Sequence, residues 1–286
     1  MPAPVVIDTI PGIRGAVAAA RAEGRRIALV PTMGALHPGH LRHVERVRAL
    51  DPTAFVVVSI FVNPLQFGAG EDFERYPRTL DDDVARLEQA DAVFAPSVAE
   101  LYPDGGARVR VSAGEVGMTF EGAARPGHFD GALTVVAKLL SIVAPDLASF
   151  GQKDAQQLWL VERMVHDLDL RVRIVEIPTV REPDGLAMSS RNRYLSPTER
   201  DAALALSRAL AAAESAAAAG ADAAAVVAEA DRLLAASSGV EVDYFALVDT
   251  MTFSPIADDH RGPVIAIVAA RVGATRLIDN ARFRLG

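Results

Sequence analysis

The chain has 286 residues, of which 50% are hydrophobic and 23% charged, proportions that favour a globular protein of one large or two ordinary domains. A net charge of −8 argues against a broad nucleic-acid surface, so we expect small-molecule partners and no nucleic acid. The absence of cysteine excludes disulfides and fits a reducing compartment. No secretory pattern opens the sequence and no apolar run reaches about 18 residues, so we expect a cytoplasmic protein without a membrane partner.

The first predicted elements surround a turn rich in glycine and proline. Residues 12–24 are expected to form a helix, and residues 27–30 form an apolar run typical of a buried strand. Pro31 and Gly34 interrupt this run, and apolar residues at helical spacing follow, namely Leu41, Val44, Val47 and Leu50. The pattern predicts a strand, a loop and a helix, and open α/β sheets bind ligands at the carboxyl ends of such strands.

His37 and His40 lie where the second predicted helix begins. A helix start offers unpaired N–H groups to an anion, and two imidazoles three residues apart can face one ligand. We therefore interpret the turn as a nucleotide triphosphate site. The alternative is a pair of exposed histidines with no ligand. A zinc site is disfavoured because no cysteine and no third ligand accompany the pair, and the Gly-rich dinucleotide and Walker motifs are missing.

A second buried strand is predicted over residues 54–62, a valine-rich run that is apolar on both faces, as in a central parallel strand. Asn63 and Gln66 follow it and so belong to the same ligand-facing edge of the sheet. The alternative is a plain Asn-Pro turn with an incidental glutamine. Residues 69–79 then form a loop long enough to be a lid over a site.

Three consecutive aspartates open a helix predicted over residues 84–89, which is followed by a short strand over residues 92–95. Asp82 and Asp83 are candidate Mg²⁺ ligands, since this ion prefers carboxylate oxygens. The alternative is that these side chains only complement the dipole of the first helical turn.

Two later loops carry positive charge close to a helix start. Arg125 and His128 precede an apolar helix predicted over residues 133–143. Residues 148–154 repeat the order of strand, glycine turn and helix, and Lys153 within them can offer a point charge to a phosphoryl group. Both loops support the interpretation as an anion site.

A change in composition places a domain boundary after residue 182, giving domains 1–182 and 183–286. A last strand of the first domain is predicted over residues 173–180. Residues 185–192 place two serines and an arginine beside a glycine, and could wrap phosphates or simply connect the domains. The second domain is expected to hold an alanine-rich helix with a capping box at residues 196–199 and an end at Gly220, a helix to about residue 236, strands 242–248 and 264–272, and a third element at 275–280.

Several motifs together resemble those of the pantothenate synthetases. They are PTMGALHPGH at residues 31–40, FVNPLQFG at 61–68, GHFDG at 127–131, FGQKD at 150–154 with Gln156 and Gln157, and MSSRNRYL at 188–195. The resemblance covers nearly the whole chain. It implies an α/β fold with a doubly wound, Rossmann-like parallel sheet of the nucleotidyltransferase type. It also implies a smaller C-terminal α/β domain that closes over the active site, usually in a homodimer.

The resemblance implies ligation of pantoate to β-alanine, with ATP and Mg²⁺, through an enzyme-bound pantoyl adenylate that yields AMP and pyrophosphate. It implies that His40 is the general acid, and His37 and Lys153 are expected to stabilise charge on the phosphates. Pantoate and β-alanine are expected to contact Gln66, Gln157, Asn63, Arg125 and His128. The residues matched to ATP binding are Met33, Gly34, Ala35, Leu36, His37, Pro38, Gly39, His40, Gly151, Gln152, Lys153, Asp154, Val180, Met188, Ser189, Ser190 and Arg191.

Two departures from the family pattern concern the pocket wall: Ala155 stands where an aromatic residue is frequent, and Ala132 where valine is common. Two other classes also fit part of the sequence. One is a nucleotidyltransferase acting on another acceptor or on tRNA, although the acidic charge weighs against tRNA. The other is a non-catalytic nucleotide sensor, which should lack acid-binding residues such as Gln66 and Gln157.

Overall fold

The computed structural model describes residues 3–68 and 73–286, which form two compact units. Unit 1 takes the described residues of Met1–Gly151 together with Gln157–Ile177, and unit 2 takes Gln152–Gln156 together with Pro178–Gly286. The main boundary between the two units therefore follows Ile177. The boundary predicted from the sequence lies five residues later, after residue 182. Of the predicted lid at 69–79, residues 69–72 lie outside the described part of the chain.

Unit 1 is built on a six-stranded parallel sheet in the order β1-β4-β3-β2-β5-β6. The strands are β1 (Val5–Ile7), β2 (Ile27–Thr32), β3 (Phe55–Ile60), β4 (Ala92–Phe94), β5 (Leu147–Gly151) and β6 (Arg173–Ile177). The helices along this part of the chain are α1 (Ile10–Ala22), α2 (Pro38–Leu50), α3 (Leu80–Arg86), α4 (Val98–Leu101), α5 (Glu121–Ala124), α6 (His128–Val143) and α7 (Ala155–Asp167).

Both faces of this sheet are buried, as the apolar runs predicted. In β2, Ile27 and Leu29 join one hydrophobic core with residues of α1, α6 and α7, while Ala28 and Val30 join a second core with residues of α2. Successive side chains of a strand point to opposite faces, so a run that is apolar throughout requires helices on both sides. The predicted doubly wound α/β fold is confirmed.

The strand order reverses between β2 and β5. From β2 the chain proceeds to β3 and β4 on one side, and later places β5 and β6 on the other side. Ligands of open α/β sheets bind at the carboxyl ends of the strands that flank such a reversal. The residues that follow β2 and β5 therefore occupy the position where a ligand is expected.

Strand β1, which pairs with β4 at one edge of the sheet, was not predicted from the sequence. Its three residues are too few to show a period, and Val5 and Val6 are largely exposed. An edge strand of this length carries no pattern that distinguishes it from a loop.

Unit 2 contains α8 (Pro197–Ala218) and α9 (Ala223–Ala235), with an antiparallel sheet of β7 (Val240–Asp249), β8 (Gly262–Val272) and β9 (Thr275–Leu285). The capping box is confirmed, because Ser196 Oγ accepts from the Glu199 amide and Glu199 Oε2 accepts from the Ser196 amide. The third predicted element, over 275–280, is a longer strand that continues to Leu285. Among the residues the structure describes, no helix has both the length and the apolar character needed to cross a bilayer.

A partly buried ion pair network braces the amino-terminal side of the unit 1 sheet. The Asp91 carboxylate accepts from Arg25 Nη2 and Arg48 Nη2, each at 2.6 Å, and from the Val56 amide at 2.8 Å. Burial raises the pKa of Asp91, but these hydrogen bonds outweigh it and hold the pKa below its ordinary value. Asp91 is therefore ionised in the folded protein at neutral pH.

We expect Asp91→Asn to lower the free energy of unfolding at pH 7 by about 2 kcal/mol, because a neutral amide cannot replace three charge-assisted hydrogen bonds. Since folding lowers this pKa, the stabilisation is present above the unfolded carboxyl pKa of ~4 and is lost as the pH falls through the folded value. Urea unfolding between pH 7 and pH 3 should therefore show the difference from the wild type shrinking below pH ~4. Asp81→Asn, at an exposed position, is the control. A difference that stays constant over this range would contradict the assignment.

Candidate active site

The loop between β2 and α2 adopts an unusual backbone. Gly34 has a φ of +86°, and Ala35, which carries a side chain, has a φ of +51°. His37 is the N-cap of α2 and Pro38 is its first residue, so the loop leads directly to the helix start. A non-glycine residue in the left-handed region costs free energy and persists only where surrounding contacts require it.

Asp83 of α3 supplies those contacts. Its Oδ2 accepts from the Ala35 amide at 2.9 Å and its Oδ1 accepts from the Leu36 amide at 2.7 Å, while Thr79 Oγ1 donates to Oδ2 at 3.1 Å. The side chain is 2% exposed. One buried carboxylate thus holds two consecutive backbone amides and fixes the loop.

This geometry bears on the predicted magnesium ligands. Both Asp83 oxygens already bind the loop, and Asp82 is exposed. Within residues 3–68 and 73–286, no group of three or more His, Asp or Glu side chains is arranged to hold a metal ion. The residues present fit a structural role for Asp83 better than a metal site.

The two histidines of the α2 start are in contact, with ring centroids 4.0 Å apart and an interplanar angle of 38°. The His37 amide donates to His40 Nδ1 at 3.2 Å. A nitrogen that accepts a hydrogen bond carries no proton, so a neutral His40 ring carries its hydrogen on Nε2. His40 can therefore donate from Nε2 to a ligand oxygen.

His43, one turn further along α2, was not predicted as part of the site. Its Nδ1 lies 3.1 Å from Oγ of Ser149, a buried residue of β5. A Cβ atom on Gly151 would lie 3.5 Å from His43 Nε2. This contact joins α2 to the carboxyl end of β5 at the strand reversal, and no sequence motif marks it.

The polar residues after β3 form a directed amide network. Tyr102 donates its hydroxyl to Asn63 Oδ1 at 3.0 Å, and the Leu65 amide donates to the same oxygen at 3.3 Å. Asn63 Nδ2 therefore faces the other way and donates to Gln66 Oε1 at 3.2 Å and to the Gly131 carbonyl at 3.0 Å. With its oxygen occupied, Gln66 presents Nε2, a donor, on its free side.

The donor of Gln66 has a poor partner in this structure, since Nε2 lies 2.9 Å from Met33 Sδ and a thioether is a weak acceptor. Burial raises the pKa of Tyr102 to about 12, against a smaller lowering by Arg110. Tyr102 therefore stays protonated and remains a donor at any physiological pH. Tyr102 was not predicted as a site residue, because it follows the short helix α4 rather than a strand.

Arg125 and His128 brace Gln66 from the start of α6. His128 Nδ1 lies 2.8 Å from the Gln66 carbonyl oxygen and must donate to it, while Arg125 Nη1 donates to His128 Nε2 at 3.0 Å. A Cβ atom at Gly131 would lie 2.0 Å from the Leu65 carbonyl oxygen. The absence of a side chain at Gly131 is what permits α6 to approach this turn.

Several of the residues matched to ATP binding lie on segments of unit 2. Lys153 Nζ is 3.9 Å from Asp154 Oδ1, and its backbone carbonyl accepts from Asn280. The Met188 amide donates to the Val180 carbonyl at 2.9 Å. Ser189 caps a 3-10 helix that begins at Ser190 and includes Arg191, and Gln152 and Asp154 belong to the segment Gln152–Gln156.

The structure arranges most of the predicted side chains of unit 1 in two separate groups. His37 and His40 form one contact pair, and Met33, Asn63, Gln66, Arg125 and His128 form one hydrogen-bonded group. Gln157 is half-buried on α7. Ala132 and Ala155, the two departures from the family pattern, are both buried.

The strand order of the parallel sheet reverses next to β2, and the helix that follows β2 begins with two imidazole side chains. These features define a protein of the nucleotide-binding class. A family model described as Pantoate-beta-alanine ligase matches residues 5–282, and the chain belongs to this family. A pantothenate synthetase of Leifsonia xyli subsp. xyli is 59% identical over 268 residues, covering 93% of this chain and 92% of that protein. One from Streptomyces coelicolor is 51% identical and covers 93% of each chain.

Solved structures agree with the family assignment. The crystal structure of pantothenate synthetase from Thermus thermophilus has 47% sequence identity and a TM-score of 0.89, and the match covers 97% of this chain and 98% of that one. Pantoate-beta-alanine ligase from Francisella tularensis, complexed with beta-gamma ATP and beta-alanine, has 31% identity and a TM-score of 0.77, with 98% and 97% covered.

The role of Asp83 can be tested through the two amides that it binds. We expect Asp83→Asn to increase hydrogen exchange at Ala35 and Leu36 about tenfold or more, since the two amides bind different carboxylate oxygens and asparagine replaces one of these oxygens with an NH2 donor. The measurement is hydrogen–deuterium exchange resolved to peptides of the β2–α2 loop. Asp82→Asn, at the exposed neighbouring position, should leave that exchange unchanged. Equal protection in Asp83→Asn and the wild type would show that other contacts hold the loop.

Proposed function

We propose that this chain condenses pantoate with β-alanine to form pantothenate, and converts ATP to AMP and pyrophosphate. The observation that carries the proposal is the family match over residues 5–282. A family relative complexed with beta-gamma ATP and beta-alanine supports ATP and β-alanine as substrates. The hydrogen-bond geometry of the described side chains supports the individual roles given below.

The proposed reaction has two steps because a carboxylate is a poor acyl donor. In the first, a pantoate carboxylate oxygen attacks the α-phosphorus of ATP, the bond to the β-phosphate oxygen breaks, and pyrophosphate leaves. In the second, the β-alanine amine attacks the acyl carbon, AMP leaves, and the amine loses a proton. No protein nucleophile takes part. The protein positions the reactants and stabilises the charge that develops on the phosphate oxygens.

The start of α2 suits the phosphate side of this reaction. His40 donates from Nε2, and we assign it to the oxygens that gain charge as pyrophosphate leaves, with the role of general acid. His37 lies against it and the helix start adds its own positive dipole end. Lys153 supplies a point charge to the same phosphates.

The network of Tyr102, Asn63 and Gln66 is suited to binding the pantoate carboxylate or hydroxyl groups. Gln66 presents a donor because Asn63 occupies its oxygen, and a carboxylate or hydroxyl oxygen of pantoate is a better partner than Met33 Sδ. We therefore assign pantoate and β-alanine to Gln66 and pantoate to Gln157. Arg125 and His128 hold the Gln66 backbone in place.

The remaining ATP contacts in the proposal rest on the motif resemblance. They are Met33, Gly34, Ala35, Leu36, Pro38, Gly39, Gly151, Gln152, Asp154, Val180, Met188, Ser189, Ser190 and Arg191. Mg²⁺ belongs to the proposal as an ion bound mainly by the ATP phosphates, a mode common for this ion, and we assign no protein ligand to it. We also propose a homodimer and a cytoplasmic location, on the resemblance and the cysteine-free composition.

Isotope exchange tests the function directly. Labelled pyrophosphate should exchange into ATP when pantoate is present and β-alanine is absent, because the first step is complete without the amine. In the full reaction, ¹⁸O from the pantoate carboxylate should appear in AMP. ADP as product, or exchange that requires β-alanine, would rule out the adenylate. Exchange driven by another carboxylic acid but not by pantoate would keep the mechanism and change the substrate.

The direction of the amide network gives a second prediction. Tyr102→Phe keeps the ring but removes the donor that orients Asn63, so we expect the KM for pantoate to rise about tenfold. The KM for ATP should change much less, since the charged phosphate contacts are assigned to His40 and Lys153 and not to Asn63 or Gln66. Steady-state kinetics with each substrate varied in turn measures both values, and Tyr244→Phe controls for loss of a tyrosine hydroxyl elsewhere. Equal increases in both KM values would contradict the assignment.

A further inference from the structure

Two consecutive polar residues of β9, Asp279 and Asn280, are almost fully buried, at 4% and 3% exposure. Their neighbours on this strand and on β8 are largely apolar. Because successive residues of a strand point to opposite faces, the two side chains leave β9 in opposite directions. Each of them binds a different segment of unit 2.

Asn280 binds the segment that contains Lys153. Its Nδ2 donates to the Gln152 carbonyl at 2.9 Å and to the Lys153 carbonyl at 2.8 Å. The opposite amide orientation would place Oδ1 against two carbonyl oxygens, so this geometry fixes the side chain. These bonds join β9 to Gln152–Gln156, a segment that belongs to unit 2 although Gly151 before it and Gln157 after it belong to unit 1.

Within the described part of the chain, the Asn280 side chain pairs both of its donor hydrogens but not its acceptor. Its Oδ1 is buried and has no hydrogen-bond partner among residues 3–68 and 73–286. A buried acceptor left unpaired costs free energy, and an apolar residue of similar size would avoid that cost. The gain from asparagine at this position is therefore the pair of bonds to the Lys153 segment.

Asp279 binds the other segment. Its carboxylate accepts from both terminal nitrogens of Arg181, at 2.6 and 3.1 Å, and Arg181 also donates to the Gly185 carbonyl. Arg181 directly follows Val180 and forms an isolated bridge with Ala187. Asp279 thereby fixes the short hairpin that carries Val180 and Met188.

We propose that Asp279 and Asn280 are positioning residues that set the distance between two nucleotide-binding segments, the Lys153 turn and the Val180–Met188 hairpin. The inference rests on the proposed function, in which both segments contact ATP. One rigid strand then holds both segments, so a nucleotide that touches both meets them at a fixed separation. Loss of either contact should impair ATP use and adenylation, and should leave pantoate binding unaffected.

The test uses Asn280→Asp, which keeps the shape but places a carboxylate oxygen against the two carbonyls, and Asn280→Ala, which removes the donors without adding charge. We expect both variants to raise the KM for ATP about tenfold or more and to slow pantoate-dependent pyrophosphate exchange, with the KM for pantoate within about twofold of the wild type. Asp243→Asn, which breaks the β7 contact to Arg276 on β9, is the structural control. Thermal unfolding of every variant separates misfolding from mispositioning.

A double-mutant cycle with Lys153→Ala decides whether Asn280 acts through Lys153. If it does, Lys153→Ala combined with Asn280→Ala should exchange pyrophosphate no more than about twofold slower than Lys153→Ala alone. Independent, multiplicative effects, or a KM for pantoate that rises as much as that for ATP, would overturn the inference. If Lys153→Ala leaves exchange intact, the proposed role of Lys153 fails. In that event, calorimetry measures the affinity of the wild type and of Asn280→Ala for a non-hydrolysable ATP analogue. We expect weaker binding by Asn280→Ala, and an unchanged affinity would overturn the positioning role of Asn280.

Discussion

The contact on which the site depends is that of one buried carboxylate with two consecutive backbone amides. Asp83 binds the amides of Ala35 and Leu36, and so stabilises a backbone that Ala35 would not adopt unaided. The loop ends at His37, which is the N-cap of α2. The His37 amide donates to His40 Nδ1, so a neutral His40 ring carries its proton on Nε2. The ring nitrogen from which His40 donates thus depends on Asp83 of α3, which acts through the loop and the His37 amide.

The same logic governs the other half of the site, where the direction of each hydrogen bond follows from its neighbour. A tyrosine hydroxyl held protonated by burial orients Asn63, and Asn63 orients Gln66. An isolated glutamine can offer either end of its amide, whereas this one offers only its nitrogen. If Gln66 binds pantoate as proposed, its preference for an oxygen acceptor depends on Tyr102 and Asn63 as well as on Gln66 itself.

The sequence predicted those parts of the fold that have a local signal. The continuous burial of β2, the capping box at Ser196 and the apolar length of α6 each follow from neighbouring residues. Motifs also drew attention to His40 and Gln66, whose roles stay predictions. Contacts between residues far apart in sequence left no such signal: His43 meets Ser149 across 106 positions, and Tyr102 meets Asn63 across 39. Asp83 was noticed for its charge, but its partners are backbone amides, which look alike in every sequence.

The bond from Asn280 to the Lys153 carbonyl joins residues separated by 127 positions, and this has a consequence for the order of folding. On a ribosome the turn that carries Lys153 emerges long before β9 has been made, and long-range contacts form only after the intervening chain is available. Until then the turn lacks the strand that gives it shape. If Asn280 positions the Lys153 turn as proposed, the nascent chain can assemble its parallel sheet early but fixes this turn only after β9 has paired with β8.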